Sequence, residues 1–281
     1  MLPAPVLRRA TSILLLLAAT HAEPAAADPH PLWEFGLGAG TLLLNDYRGA
    51  EGAQAYLLPL PYFVYRGAFL KADRNGMRGL FYERPRVELN ISLNATVPVR
   101  SRSTGARAGM PDLDPAVEIG PSLDWHLWRS DAGRVQLDLR LPLRAAFAVG
   151  SRPRAIGLFT APAAAIDLMP QSRGGWNVGV LAGPLFADRR YHGYFYDVAP
   201  TYATSTRPAY TAAAGYSGTQ ALLAVSHRYR DFWVGAYLRH DWLGGAAFMR
   251  SPLVQQNSYW AGGIGMAWMI GQSSQQVDTD E

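Results

Sequence analysis

Between Val87 and Val99 the chain alternates without a miss: Val87, Leu89, Ile91, Leu93, Ala95, Val97 and Val99 are apolar. Glu88, Asn90, Ser92, Asn94, Thr96 and Pro98 fill the positions between them. Side chains on a strand leave opposite faces at every second residue, so the segment has one apolar and one polar face. The same pattern predicts strands over residues 33–43, 56–65, 67–72, 77–82, 87–99, 115–127, 134–147, 155–168, 176–187, 219–228, 232–243 and 259–270. Asp73-Arg74-Asn75-Gly76 reads as the turn of a tight hairpin, since Asn-Gly supplies the backbone such turns need. That split gives twelve strands. Single-chain bacterial barrels have even counts, which leaves ten as the alternative and excludes the eleven counted without the hairpin. The fold class is therefore all-β. It is either a soluble sandwich with a shared apolar core or an antiparallel up-and-down transmembrane barrel with its apolar face in lipid.

The N-terminus decides between them. Residues 1–27 have the form of a secretory signal peptide: Arg8 and Arg9, an apolar run from Ile13 to Ala19, and small residues ending Ala25-Ala26-Ala27. Cleavage is expected after Ala27, with Ala22 as a second candidate site. A single barrel domain over 28–281, with a short tail at 271–281, is then the expected organisation. No later stretch reaches the roughly 18 apolar residues of a membrane-spanning helix. There is no Cys, so thiolate metal sites, disulfides and a lipid-anchored cysteine are excluded. The formal charge of +4 is too small, and the arginines too scattered, for a nucleic-acid partner.

Connection lengths alternate as in a barrel with short periplasmic turns and long outer loops. The segments 44–55, 100–114, 188–218 and 244–258 are long, while 83–86, 129–133, 169–175 and 229–231 are short. Trp33, Trp125, Trp176 and Trp268 fall at the short-turn ends of their strands, Trp242 and Trp260 at the long-loop ends. Interfacial belts place indole rings in this way. Pro59 and Pro61 share a parity, so both missing N–H groups point toward one neighbour, and that seam is expected to be weak or bulged.

Charged residues cluster on the inward parity of two consecutive strands. Glu118, Asp124 and His126 lie on one; Arg134, Asp138, Arg140 and Arg144 lie on the next, brought opposite by a tight turn. Two readings stand: a lumen network in which charges neutralise one another, or a lining that selects a solute. Neither catalytic residues nor metal or cofactor ligands emerge. Ser226–His227 and His240–Asp241 are sequence neighbours and face opposite sides of their strands, and Ser122, Asp124 and His126 on one strand make a poor triad. Asp112 and Asp114 lack the further oxygen ligands of a calcium loop. Segment 189–210 interleaves Arg189, Arg190 and Arg207 with Tyr191, Tyr194, Tyr196, Tyr202 and Tyr210, a composition suited to a contact with lipopolysaccharide or protein. It suits a self-packed loop better.

Several stretches are similar to one family: Asn45-Asp46-Tyr47-Arg48-Gly49, Leu58-Pro59-Leu60-Pro61-Tyr62-Phe63-Val64-Tyr65, Pro111-Asp112-Leu113-Asp114-Pro115 with Glu118-Ile119-Gly120-Pro121, Tyr194-Phe195-Tyr196-Asp197-Val198, and Tyr259-Trp260-Ala261-Gly262-Gly263-Ile264-Gly265. In order and spacing they resemble the MltA-interacting protein (MipA)/OmpV family of outer-membrane proteins. The resemblance implies a non-enzymatic barrel in the cell outer membrane, surrounded by lipid and lipopolysaccharide. It also implies a structural role in the cell envelope, as a scaffold joining a lytic transglycosylase to a murein polymerase. A narrow pore or small-solute channel is the alternative function.

Overall fold

The computed structural model describes residues 29–67, 70–73, 76–101, 105–169 and 175–278. The expected signal peptide, 1–27, lies outside them. In chain order the strands are β1 (Pro29–Pro31), β2 (Trp33–Asn45), β3 (Ala53–Arg66), β4 (Leu70–Asp73), β5 (Gly76–Arg84), β6 (Val87–Ala95), β7 (Ala116–Arg129) and β8 (Val135–Ala148). There follow β9 (Arg154–Thr160), β10 (Ala163–Leu168), β11 (Trp176–Ala187), β12 (Gly215–Arg228), β13 (Phe232–Trp242), β14 (Ser258–Gln272) and β15 (Gln276–Asp278). One α-helix, α1 (Arg189–Tyr196), interrupts the longest loop. From β2 to β9 and from β10 to β14 each strand pairs antiparallel with the next, and β14 returns to β2. The segment read as one strand over 155–168 is two, β9 and β10, parted at Ala161-Pro162 because proline cannot donate to a ladder. β10 pairs with both β8 and β11, and so does β9, so the two halves act as one interrupted strand and the sheet's ends meet. Twelve strands thus form an up-and-down antiparallel barrel.

The register fixes the facing. Leu89, Leu123 and Leu141 stand in one cross-strand row, and Glu88, Asp124 and Arg140 in the adjacent one. Leu89, Leu93, Val117, Ile119, Leu123 and Leu141 lie exposed on the outer wall, whereas Glu118 and Asp138 are 1% and 4% exposed. The alternation continues to Val99 in sequence, yet β6 stops at Ala95. Pro98 ends the ladder, and beyond it Val99 makes a single bridge to Leu113. Trp33, Trp125, Trp176 and Trp268 are exposed at the short-turn end, Trp242 and Trp260 at the long-loop end.

The seam at the two prolines is thinner than a bulge. Toward β2, β3 pairs along thirteen residues without interruption. Toward β4 it pairs only at Tyr65 and Arg66. Among the described residues, 53–64 have no ladder partner on that side. The seam expected to be weak or bulged is a short one, because the neighbouring strand is only four residues long.

Within the segment expected to be a short tail, 271–272 and 276–278 carry strand structure. β14 continues through Gln272, and β15 pairs with β1 as Pro29↔Asp278, His30↔Val277 and Pro31↔Gln276. Bonds from Leu32 N–H to the Gln275 carbonyl and from Ser273 N–H to the Trp33 carbonyl extend this clasp. β1 and β15 therefore meet at the short-turn end.

Candidate functional site

The lumen network is broader than one hairpin. His126 Nδ1 lies 2.9 Å from Asp138 Oδ1, and Gln136 donates to the same carboxylate. Arg140 pairs with Asp167 at 3.0 Å and stands 3.9 Å from Asp138. Asp124 is opposite Arg140 in register and accepts from Ser122 and Asn90. Arg144 donates to Ser92 and lies 3.9 Å from Glu118. Glu118 also accepts from Asn94 and from the Tyr191 hydroxyl at 2.7 Å. Arg134 stands apart. It is exposed in the turn before β8, where Gly133 takes a positive φ of 66° and the Arg134 N–H bonds to Ser130 Oγ. The partners beyond the hairpin (Asn90, Ser92, Asn94, Asp167) carry the inward parity of their own strands, a signal present in the alternation. Tyr191 arrives from a helix that no periodicity announces.

That helix anchors a cap over the long-loop end. Asp188 accepts the Tyr191 N–H at 2.8 Å as its N-cap. Four loops pack around it, burying Tyr47, Val99, Leu113, Tyr196, Phe248 and Leu253 in one cluster. The Tyr196 and Phe248 rings stack with centroids 3.7 Å apart. Tyr47, Tyr194 and Tyr196 each donate a hydroxyl to a backbone carbonyl of another loop. Arg107 reaches the Phe195 carbonyl, and Arg207 those of Ala106 and Ala108. The Arg–Tyr segment therefore packs on its own molecule. Arg48 bridges cap and wall: its Nε lies 3.0 Å from Asp241 Oδ1 and its Nη1 donates to the Ser217 carbonyl, while Arg239 holds the other Asp241 oxygen at 2.7 Å. At the opposite end Glu34 is held between Arg66 (3.1 Å) and Arg228 (3.0 Å), a buried carboxylate shared by two guanidiniums.

Two Ser–His contacts occur among the described residues, and neither resembles a working nucleophile. His240 Nε2 lies 2.7 Å from Ser258 Oγ on the neighbouring strand, with no carboxylate hydrogen-bonded to the ring. His192 Nε2 is 2.5 Å from Ser217 Oγ, but its Nδ1 faces the Ala213 carbonyl at 2.6 Å, and both residues are 1% exposed. A carbonyl can only accept, so Nδ1 carries the proton and the neutral ring accepts from Ser217. Asp112, the calcium-loop candidate, accepts the Ser101 N–H at 2.7 Å and so closes a turn.

Burial holds His192 below its ordinary pKa of 6.5, opposed by the bond to Ala213 and reinforced by Arg48. The ring is neutral in the folded cap and must charge in the unfolded one as pH falls below about 6.5. The unfolded state then binds more protons, so cap stability is complete above that pH and declines below it. Amide exchange of α1 is expected to be slow at pH 7.5 and to accelerate at pH 5 after correction for intrinsic rates. His192→Gln should flatten this dependence; an unchanged profile would remove His192 as its source.

A family model described as MltA-interacting protein MipA matches residues 37–270. No curated protein matches the chain. The matched span runs from β2 to β14 and takes in the barrel wall, the lumen network and the cap. The chain belongs to the MltA-interacting protein MipA family.

Proposed function

We propose that this chain is a non-enzymatic outer-membrane barrel that works as a scaffold of the cell envelope. In this reading it holds a lytic transglycosylase, the class of partner in the family's name, beside a murein-synthesising enzyme. The observation that supports the reading is a packed cap at the long-loop end and a buried Arg66–Glu34–Arg228 cluster at the short-turn end. In this reading both narrow the lumen, and the barrel presents surfaces and does not conduct. The short-turn end, where β1 pairs with β15, faces the periplasm and supplies the surface for a murein enzyme. The cap faces outward among lipopolysaccharide headgroups.

Two measurements test this. Purified protein in a planar bilayer should stay electrically silent, and a purified lytic transglycosylase should be retained by the immobilised barrel. Steady single-channel steps would favour the narrow-pore alternative. A silent barrel that fails to retain the enzyme would remove the scaffold reading.

A further inference from the structure

Opposite the charged wall the lumen is apolar and partly empty. Gly40, Gly265 and Gly235 occupy one cross-strand level on β2, β14 and β13, all with inward parity. Ser226 and Leu58 flank them on β12 and β3. Three neighbouring strands thus send no side chain into the lumen at this height, and a cavity of about 370 Å³ opens there. That volume falls within the range of about 300–1,000 Å³ typical of small-molecule sites. Most of its lining is apolar, and Trp233 and Tyr237 contribute rings to it. The cavity does not centre on the ion network, and the folded mouths described above are not its obvious entrance.

Its wall on β3 is the stretch without a ladder partner. Leu58, Pro59 and Leu60 line the cavity, and they fall within the residues, 53–64, whose far edge is open among those described. Leu58 has inward parity yet is 40% exposed, and its outward neighbour Leu57 is 77% exposed. The prolines suit this edge, because a strand without a neighbour loses nothing where an N–H is missing.

We propose that the cavity is a binding site for a single aliphatic acyl chain, which enters from the bilayer through the seam between β3 and β4. This rests on the membrane-spanning reading above. The chemistry selects the ligand: an apolar chamber beside a gap in the wall that faces hydrocarbon suits a hydrocarbon tail. Asp167 on the far side of the cavity is already paired with Arg140, so the pair offers no uncompensated charge to draw a headgroup inward. The tail therefore enters and the head remains at the seam. A free fatty acid and one chain of a membrane lipid offer the same tail.

The test is photolabelling in vesicles. One set contains a fatty acid bearing a mid-chain diazirine; a second contains a phosphatidylethanolamine with the same chain. Adducts are mapped by peptide mass spectrometry after irradiation. Labelling of Leu60 and Tyr237, together with the outward-facing Leu223 and Leu238, is the expected result. Labelling from both probes assigns the site to a membrane lipid's chain, and from the fatty acid alone to a free acid. Ala224→Phe, which projects a ring into the cavity, should reduce lumen adducts to background and leave outward ones unchanged. Adducts confined to Leu223 and Leu238 would overturn the acyl-chain site. Absence of adducts everywhere would instead overturn the membrane reading on which it depends.

Discussion

Asp241→Ala is expected to destabilise the barrel by about 3–5 kcal/mol, the cost of removing one partner from a buried ionic cluster. Asp241 is fully buried, and it is the carboxylate that both Arg48 and Arg239 approach within 3.0 Å. Its loss leaves two guanidiniums facing each other at the junction of cap and wall, and Arg48 loses a bond that holds the first long loop over Ser217. Urea titration of the protein refolded in vesicles, followed by the gel shift between folded and unfolded forms, gives the magnitude. Protease cleavage should rise first in the loops of the cap. Asp241→Asn keeps an acceptor for one arginine and should cost less. An alanine variant with unchanged midpoint would show that Arg48 is held by the cap's apolar packing alone.

Leu123→Arg should cost about 2–4 kcal/mol, the penalty for a cation near mid-membrane on the lipid face of a barrel. Leu123 sits in the middle of β7, in the outward row with Leu89 and Leu141. Its neighbour Asp124 points inward, where Ser122 and Asn90 donate to it. Asp124→Asn keeps the side-chain shape, and its effect should stay near the roughly 0.5–1.5 kcal/mol of an ordinary hydrogen bond. The two variants differ by one position, so refolding titrations compare the two faces directly. A larger effect at Asp124 than at Leu123 would place the wrong face in lipid.

The wall was legible in the sequence because period-two alternation is a strong signal wherever one face is apolar. The bounds of β11, Trp176–Ala187, agree at both ends with the pattern. Prolines account for two differences: Pro98 shortens β6 and Pro162 divides the strand between β8 and β11. The cap was not legible. Arg-Arg-Tyr-His-Gly-Tyr-Phe-Tyr carries aromatics that favour strands and a glycine that disfavours helix. It is helical because His192 and Tyr196 are buried among residues from distant loops, which no local pattern records. The charged half of the lumen could be read from parity on β7 and β8. Its apolar half could not, since inward glycines on β2, β13 and β14 look like interruptions until pairing sets them side by side.

Unequal ladders have a mechanical consequence. A ring whose joints were alike would resist compression equally from every side. Among the described residues the β3–β4 joint has two rungs and the β2–β3 joint thirteen, and deformation concentrates where the fewest hydrogen bonds must yield. The short pairings of β4 with β3 and β5 make one side of the ring compliant, so the molecule has a heading within the plane of the bilayer. A neighbour pressing on β13 meets a rigid wall; one pressing on β3 meets a spring. Lateral membrane tension then acts on the cross-section through that one side.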